Sequence, residues 1–136
     1  HPIIYTRENF SERVMELTDG EGVPVVYDGV GASVHDGSLA CLARFGTYVN
    51  FGAASGHIPP VAGTALAGRS LYFTRPGLAP HTATSDLTLE IANYLFDAVR
   101  EGVKVEINHN YDLRNAVEAH RALEARETTG STVFSI

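Results

Sequence analysis

Three short apolar segments, each running into a turn, dominate the first half of this chain. They read VPVVYDGVG at residues 23–31, GTYVNFGAASG at residues 46–56 and SLYFTRP at residues 70–76. The continuous apolar run of the first segment is typical of a strand buried on both faces of a parallel sheet. Because helical patterns alternate with strands of this kind, we predict right-handed βαβ crossovers and an α/β fold.

Helical periodicity and capping residues place the other predicted elements. Strands are predicted at residues 3–5, 23–28, 47–51, 71–74, 104–107 and 131–136. Helices are predicted from Asn9 or Ser11 to residue 18, up to Arg44 before the second strand, from residues 84–86 to Arg100, and over residues 115–126. The Gly-, Ala- and Pro-rich residues 52–68 are predicted to form a functional loop or a weak helix.

Composition excludes several classes of function. The net charge of −6 over 136 residues disfavours a nucleic-acid surface, which needs a basic face. The single cysteine, Cys41, allows neither a disulfide framework nor a zinc cluster, and the six histidines are scattered, so we expect no metal site. No apolar run approaches the roughly 20 residues of a membrane span. We therefore expect no membrane partner and a reducing, cytoplasmic setting.

The common catalytic and phosphate-binding motifs are absent from the chain. Gly29-Val30-Gly31 is not followed by the third glycine of a G-x-G-x-x-G motif, and no P-loop occurs. The segment from Gly52 to Gly56 misses the nucleophile-elbow pattern, because Ser55 stands in its fourth position. The sequence therefore assigns no catalytic residue.

Two glycines lie where a predicted strand meets its loop. Gly29 and Gly52 would allow a positive φ and a close approach of the backbone to a flat cofactor lying across the strand ends. The same residues would also serve a tight turn with no ligand, and the spacing alone leaves both interpretations open.

Three further side chains are candidates for binding an anionic group. Arg75 ends an apolar strand before Pro76, where its guanidinium could pair with a phosphate or carboxylate. Arg126 leaves the last helix beside hydroxyl side chains and could do the same, and Tyr5 could contact a ribose phosphate. The alternatives are an exposed strand-end arginine, a helix-end charge that complements the dipole, and an aromatic residue packed at the surface.

In order and spacing, these segments resemble the C-terminal portion of NADPH-dependent quinone oxidoreductases. The similarity extends from IIYTRENF through VVYDGVG, YVNFGAASG and SLYFTRP to AHRALEARETTGSTV. These enzymes form the zeta-crystallin-like, zinc-free branch of the medium-chain dehydrogenase/reductase superfamily. The resemblance implies hydride transfer from NADPH to a quinone, with the protein mainly positioning the two.

The resemblance also implies a domain organisation. Residues 1–102 would be the later part of a Rossmann-like parallel sheet that lacks its first βαβ unit, and residues 103–136 a returning segment of the GroES-like catalytic domain. The chain begins with His1 rather than methionine, and the phosphate-binding glycines would lie upstream. We therefore expect a fragment of a longer enzyme, inactive or nearly so by itself.

Cofactor contacts are implied by position in the family. The implied set is Tyr5, Gly29, Phe51, Gly52, Ala53, Ala54, Arg75 and Arg126. Gly29 stands where relatives often carry serine, so a backbone contact remains there. Ala53 and Ala54 replace polar residues frequent in relatives, which removes side-chain hydrogen bonds.

A homodimer is implied through the third strand, formed by Leu71, Tyr72, Phe73 and Thr74. In the family this strand lies at the sheet edge and pairs with its symmetry mate, and an exposed apolar edge needs such cover. A covering loop is the alternative. Two other functions remain open: reduction of an enone or alkenal by the same superfamily, and a non-catalytic α/β dimerisation module.

Overall fold

The computed structural model describes residues 1–136 as mixed α/β structure with two parallel sheets, which confirms the predicted fold class. Its helices are α1 Phe10–Leu17, α2 His35–Ala40, α3 Gly63–Ala67, α4 Leu78–His81, α5 Ser85–Arg100 and α6 Ala116–Glu124. Its strands are β1 Val23–Asp28, β2 Leu42–Asn50, β3 Tyr72–Thr74, β4 Ile107–Asp112 and β5 Ser131–Ser135. The chain divides into two compact units, His1–Pro80 and His81–Ile136.

The first unit is built on a three-stranded parallel sheet in the order β1-β2-β3. Before it, α1 begins at Asn9, whose side-chain oxygen accepts hydrogen bonds from the N–H groups of Ser11 and Glu12. The Phe10 ring packs against Gly37 of α2, where an added Cβ would lie 2.5 Å from the ring. The two helices are thereby joined by an aromatic side chain seated on a glycine.

The first sheet is covered on one face. Register pairs Val26 with Tyr48 and Tyr48 with Phe73, so these three side chains share a face and pack with the core residues Leu42 and Leu71. On the opposite face of β1, Val25 is 38% and Tyr27 74% exposed. The prediction that β1 is buried on both faces is therefore wrong within this chain, because the side chains on its second face remain exposed.

The second unit contains β4 and β5, which pair in parallel, together with α5 and α6. Thr84 caps the start of helix α5, where its hydroxyl accepts the N–H of Leu87, and Glu101 caps its end before Gly102, whose φ is +117°. The predicted limits of α5 are confirmed. Its apolar residues are exposed, Tyr94 at 70% for example. No helix of the chain combines the length and apolarity needed to cross a membrane.

Four predicted elements differ from the observed ones. The strand predicted at residues 47–51 is β2, which begins five residues earlier, at Leu42. Residues 3–5 form no strand, since they pair with no other strand of the chain. The helix predicted to end at Arg44 ends at Ala40, because Leu42 already pairs with Val23 of β1. The strand predicted at residues 104–107 begins at Ile107, where pairing with β5 starts.

Candidate functional site

The carboxyl ends of β1, β2 and β3 meet at one edge of the first sheet. Asp28 pairs with Asn50, and Val49 pairs with Thr74, so the three strands end nearly level. Open parallel α/β sheets bind ligands outside the carboxyl ends of their strands. This edge is therefore where a ligand site is expected.

A buried carboxylate, Asp28, organises the turn after β1. Its Oδ1 accepts the N–H groups of Val30 at 2.7 Å and Gly31 at 2.9 Å, and its Oδ2 accepts the Tyr48 hydroxyl at 2.6 Å. Burial raises the pKa of Asp28, but these hydrogen bonds, with one from Asn50, outweigh burial and hold that pKa below its ordinary value. An ionised side chain thus anchors the turn.

Tyr48 supports the same carboxylate from within the core. It is fully buried, and burial followed by the hydrogen bond and negative charge of Asp28 raises the pKa of Tyr48. The hydroxyl therefore remains a protonated donor. The Nδ1 atom of buried His35 lies 3.4 Å from the same hydroxyl oxygen.

Asn50 connects all three strand ends through its side-chain amide. Its Nδ2 donates to Asp28 Oδ2 at 2.8 Å and to the carbonyl oxygen of Gly52 at 3.0 Å. Its Oδ1 accepts a hydrogen bond from Arg75 Nη1, just beyond β3. The residue is 0% exposed. These three partners place the end of β1, the turn after β2 and the end of β3 around one amide.

The two predicted glycines serve a close backbone approach. An added Cβ at Gly52 would lie 2.3 Å from the carbonyl oxygen of Gly29, so a side chain there would collide with the neighbouring turn. Neither glycine adopts a positive φ; that conformation falls on Gly31, at +92°. The suggested positive φ at Gly29 and Gly52 is therefore wrong, because the turn after β1 reverses two residues later.

The loop after β2 docks on the turn after β1. The Ser55 hydroxyl donates to the carbonyl oxygen of Val30 at 2.8 Å and accepts the N–H of Ser33 at 3.0 Å. The N–H of Ala32 donates to the carbonyl oxygen of Gly56 at 3.0 Å. The Ser55 hydroxyl thus has a structural role in joining the two turns.

Most of the predicted cofactor residues of the first unit converge at this edge. The Phe51 ring is 58% exposed and lies over Gly29, where an added Cβ would meet it at 3.2 Å. The Cα of Ala53 lies 3.0 Å from the position of a Cβ on Gly31. Arg75 joins the group through Asn50, as described above. The predicted residues of the three strand ends therefore form one contiguous surface.

Tyr5 is brought to the same region by a different element. It precedes α1 and lines, with Gly29, an open cavity of about 360 Å³. Apolar side chains of α1 and β1, Val14 and Val26 among them, form part of the lining, and residues outside these two elements, such as Val34, complete it. An aromatic hydroxyl and a strand-end glycine thus border one cavity.

The last two predicted residues stand apart from these contacts. Ala54 is exposed in the loop after β2. Arg126 belongs to the second unit, where it is exposed, has a φ of +60° and begins the loop from α6 to β5. Within that loop the N–H of Thr129 donates to His109 Nε2 at 3.2 Å.

Sequence reasoning missed the polar residues beneath the site, Asp28, Tyr48 and Asn50. A usable signal exists, because Tyr48 and Asn50 are two residues apart in an otherwise apolar strand and must share a face. Polar atoms on the buried face require partners, and the acid ending the neighbouring strand is the nearest candidate.

The described residues, which span the whole chain, contain no group of three or more His, Cys, Asp or Glu side chains placed to hold a metal ion. Cys41 is buried and unpaired, and burial raises the pKa of its thiol.

Sequence comparison relates the chain to known oxidoreductases. The profile of a family described as zinc-binding dehydrogenase matches residues 1–134. The quinone oxidoreductase of Pseudomonas aeruginosa is 44% identical over 97% of this chain and 41% of its own length. The 2-haloacrylate reductase of a Burkholderia species is 38% identical over 98% of this chain and 41% of its own. The chain thus spans about two fifths of the length of these curated relatives.

Structural comparison leads to the same group of proteins. Escherichia coli quinone oxidoreductase complexed with NADPH matches with a TM-score of 0.88 and 39% identity, over 98% of this chain and 42% of that one. A mycobacterial protein complexed with NADPH matches with a TM-score of 0.84 and 44% identity, over 99% of this chain and 42% of that one.

Proposed function

The chain belongs to the zinc-binding dehydrogenase family, and we propose that it forms the later part of the nucleotide-binding domain of an NADPH-dependent quinone oxidoreductase. The observation that carries this proposal is the meeting of Gly29, Phe51, Gly52 and Arg75 at the carboxyl ends of three parallel strands. The similarity of this chain, over 98% of its length, to a quinone oxidoreductase complexed with NADPH supports the same proposal.

The residues at this edge suit a dinucleotide. Gly29 and Gly52 present backbone without side chains, and the exposed Phe51 ring offers a flat apolar surface beside them. The Nη1 atom of Arg75 donates a hydrogen bond to Asn50 Oδ1, and the guanidinium makes no other hydrogen bond within residues 1–136. Its remaining N–H groups are therefore available to an anionic or carbonyl group of the cofactor.

When bound, NADPH supplies a hydride, and with one proton from solvent this converts a quinone to its hydroquinone. In this proposal the chain binds and orients the cofactor, and none of its side chains is assigned an acid–base role. Phe51, Gly52 and Ala53 lie along the cofactor, Ala54 follows them, and Tyr5 and Gly29 border the adenosine side. Arg75 and Arg126 supply positive charge.

The domain organisation remains part of the proposal. We place the end of the nucleotide-binding domain at residue 102 and assign residues 103–136 to the GroES-like domain, with the zinc-free chemistry of the quinone reductases. On this basis the 136-residue chain alone has little or no activity. Measurable quinone turnover by the purified chain would contradict that part.

Reduction of an activated alkene is the second candidate. The similarity to a 2-haloacrylate reductase favours it, because that enzyme's name specifies an α,β-unsaturated acid as substrate. Quinones and enones are both conjugated carbonyl compounds, and both accept a hydride at an atom of the conjugated system. The same bound cofactor could therefore reduce either class. Assaying the full-length protein with both substrate classes decides between them: a higher kcat/KM for enones would replace the quinone assignment.

We also propose a homodimer formed through β3. This strand lies at the edge of its sheet, and Tyr72 is 62% exposed. An exposed edge strand can pair with the same strand of a second copy. The rival proposal, a non-catalytic dimerisation module, predicts a tight dimer without cofactor binding.

We also propose a cytoplasmic setting, with which the buried, unpaired Cys41 is compatible.

Calorimetry with NADPH tests the proposed function. Arg75→Ala in the full-length protein should weaken binding about 10-fold, since it removes a charged hydrogen-bond donor. Arg44→Ala is the matched control, because Arg44 is also exposed but lies near the amino end of β2, away from the strand ends. Equal losses for both variants, or no binding by the unaltered protein, would contradict the proposal.

A further inference from the structure

The environment of Asn50 differs from that of an ordinary buried core residue. Its amide has two N–H donors and one oxygen, and all three take part in hydrogen bonds, to Asp28, Gly52 and Arg75. The partners belong to different strand ends of the first sheet. An amide engaged in this way determines the distance between those ends as well as its own orientation.

The orientation of the amide is set by its partners. Reversing it would direct its oxygen at Asp28 Oδ2 and at the carbonyl oxygen of Gly52, which are both acceptors. The observed orientation therefore leaves Oδ1 toward β3, where it can accept a hydrogen bond. A cationic donor is the natural partner at that position.

Arg75 depends on this acceptor for its placement. It is exposed, follows the last residue of β3 and makes its hydrogen bond to Asn50 alone among residues 1–136. An arginine without such an anchor samples many rotamers and loses that freedom when it binds a ligand. An anchored guanidinium avoids part of this loss.

We propose that Asn50 is a positioning residue that holds the Arg75 guanidinium beside the Gly52 turn for binding of NADPH. The proposal rests on the proposed function and adds to it a residue that touches no ligand. Asn50 acts by connecting Arg75 to Asp28, which is itself fixed by the Val30 and Gly31 backbone. Asp28 thereby fixes the orientation of the Asn50 amide, and the amide in turn fixes Arg75.

A double-mutant cycle on the full-length protein tests this coupling, with the Kd for NADPH measured by calorimetry. Asn50→Ala and Arg75→Ala should each weaken binding about 10-fold. The double variant should lose about the same factor as either single variant, because Arg75 without its anchor contributes little. Losses that multiply to about 100-fold would overturn the proposal.

Tyr48→Phe is the matched control. It removes a hydrogen bond to the same Oδ2 atom of Asp28 but makes no contact with Arg75. Its effect on the Kd, whatever its size, should multiply with that of Arg75→Ala. Coupling of Tyr48 to Arg75 as strong as that of Asn50 would show a general structural role and overturn the proposal.

Asn50→Ser separates folding from positioning. Serine keeps a hydroxyl that can donate to Asp28 or to Gly52, but its side chain is too short to keep Asn50's other partners. The Asn50→Ser variant should unfold at a higher temperature than the Asn50→Ala variant, yet both should bind NADPH equally weakly. Normal affinity in Asn50→Ser would overturn the proposal. Failure of the unaltered protein to bind NADPH is a different result, which overturns the proposed function and this inference with it.

Discussion

Two hydrogen bonds of the same length belong to different environments in the two units. In the first unit the Tyr48 hydroxyl lies 2.6 Å from Asp28 Oδ2, and both residues are buried. In the second, Arg114 Nη2 lies 2.6 Å from Asp112 Oδ2, with the Arg114 side chain 89% exposed. Water competes for the second pair and is excluded from the first. The length of a hydrogen bond alone therefore does not indicate how much the bond contributes to stability, and the burial of its two partners has to be considered as well.

The largest effect is expected at Asp28. Asp28→Asn keeps the shape of the side chain but removes the charge and replaces one acceptor oxygen by an NH2 donor, which then faces donors such as the Tyr48 hydroxyl or the Val30 N–H. We expect the free energy of unfolding to fall by about 2–4 kcal/mol, as for loss of a buried charged partner. Urea unfolding followed by circular dichroism measures it. A loss below about 0.5 kcal/mol would show that this buried position tolerates the substitution as well as an exposed position does.

The pH dependence of stability should be due in part to the same carboxylate. Because the pKa of Asp28 is lower in the folded chain than its ordinary value of 3.8, its contribution is present above that value. The contribution is lost as the pH falls through the folded pKa. The part of the slope of unfolding free energy against pH that is due to Asp28 should not exceed about 1.4 kcal/mol per pH unit, the limit for one proton. Unfolding measured from about pH 6 downward, roughly two units above the ordinary pKa of a carboxyl group, should show a flatter pH dependence for Asp28→Asn. An unchanged slope would assign the acid sensitivity to other groups.

An intermediate effect is expected at Arg69. Its guanidinium donates to the carbonyl oxygens of Leu39 at 2.6 Å and Ala40 at 3.0 Å, at the end of α2, and to that of Leu42, which begins β2. Arg69→Met keeps an apolar stem but leaves these carbonyls without that donor, at a cost of about 1–2 kcal/mol. Arg44→Met, at an exposed position, is the control for the change of charge. Equal midpoints for both variants would contradict this role.

The smallest effect is expected in the second unit. Arg114→Ala removes the exposed pair with Asp112 and should leave the urea midpoint nearly unchanged, because water and salt screen an exposed pair. The same measurement in 1 M salt should give nearly the same stability for both proteins. A fall in the midpoint as large as that of Arg69→Met would erase the contrast between the two units.

Local patterns along the chain were sufficient for the elements that carry their own signals. Asn9 and Thr84 cap α1 and α5 as predicted, because an N-cap depends on residues within one turn. The central strands followed from their apolar runs. Gly29, Gly52 and Arg75 could be predicted to lie together because each follows a predicted strand, and parallel strands end at a common edge. Phe51 was implied only by the family resemblance, and a cofactor role for all four residues stays a prediction.

Pairing between distant residues decided the rest. The start of β2 at Leu42, the start of β4 at Ile107 and the absence of a strand at residues 3–5 all depend on which partner is available, and a local pattern does not specify partners. The contact of Asn50 with Asp28 joins residues 22 positions apart, and that with Arg75 joins residues 25 apart. Residue types suggested a ligand edge; only the folded chain brought one buried amide between its strand ends.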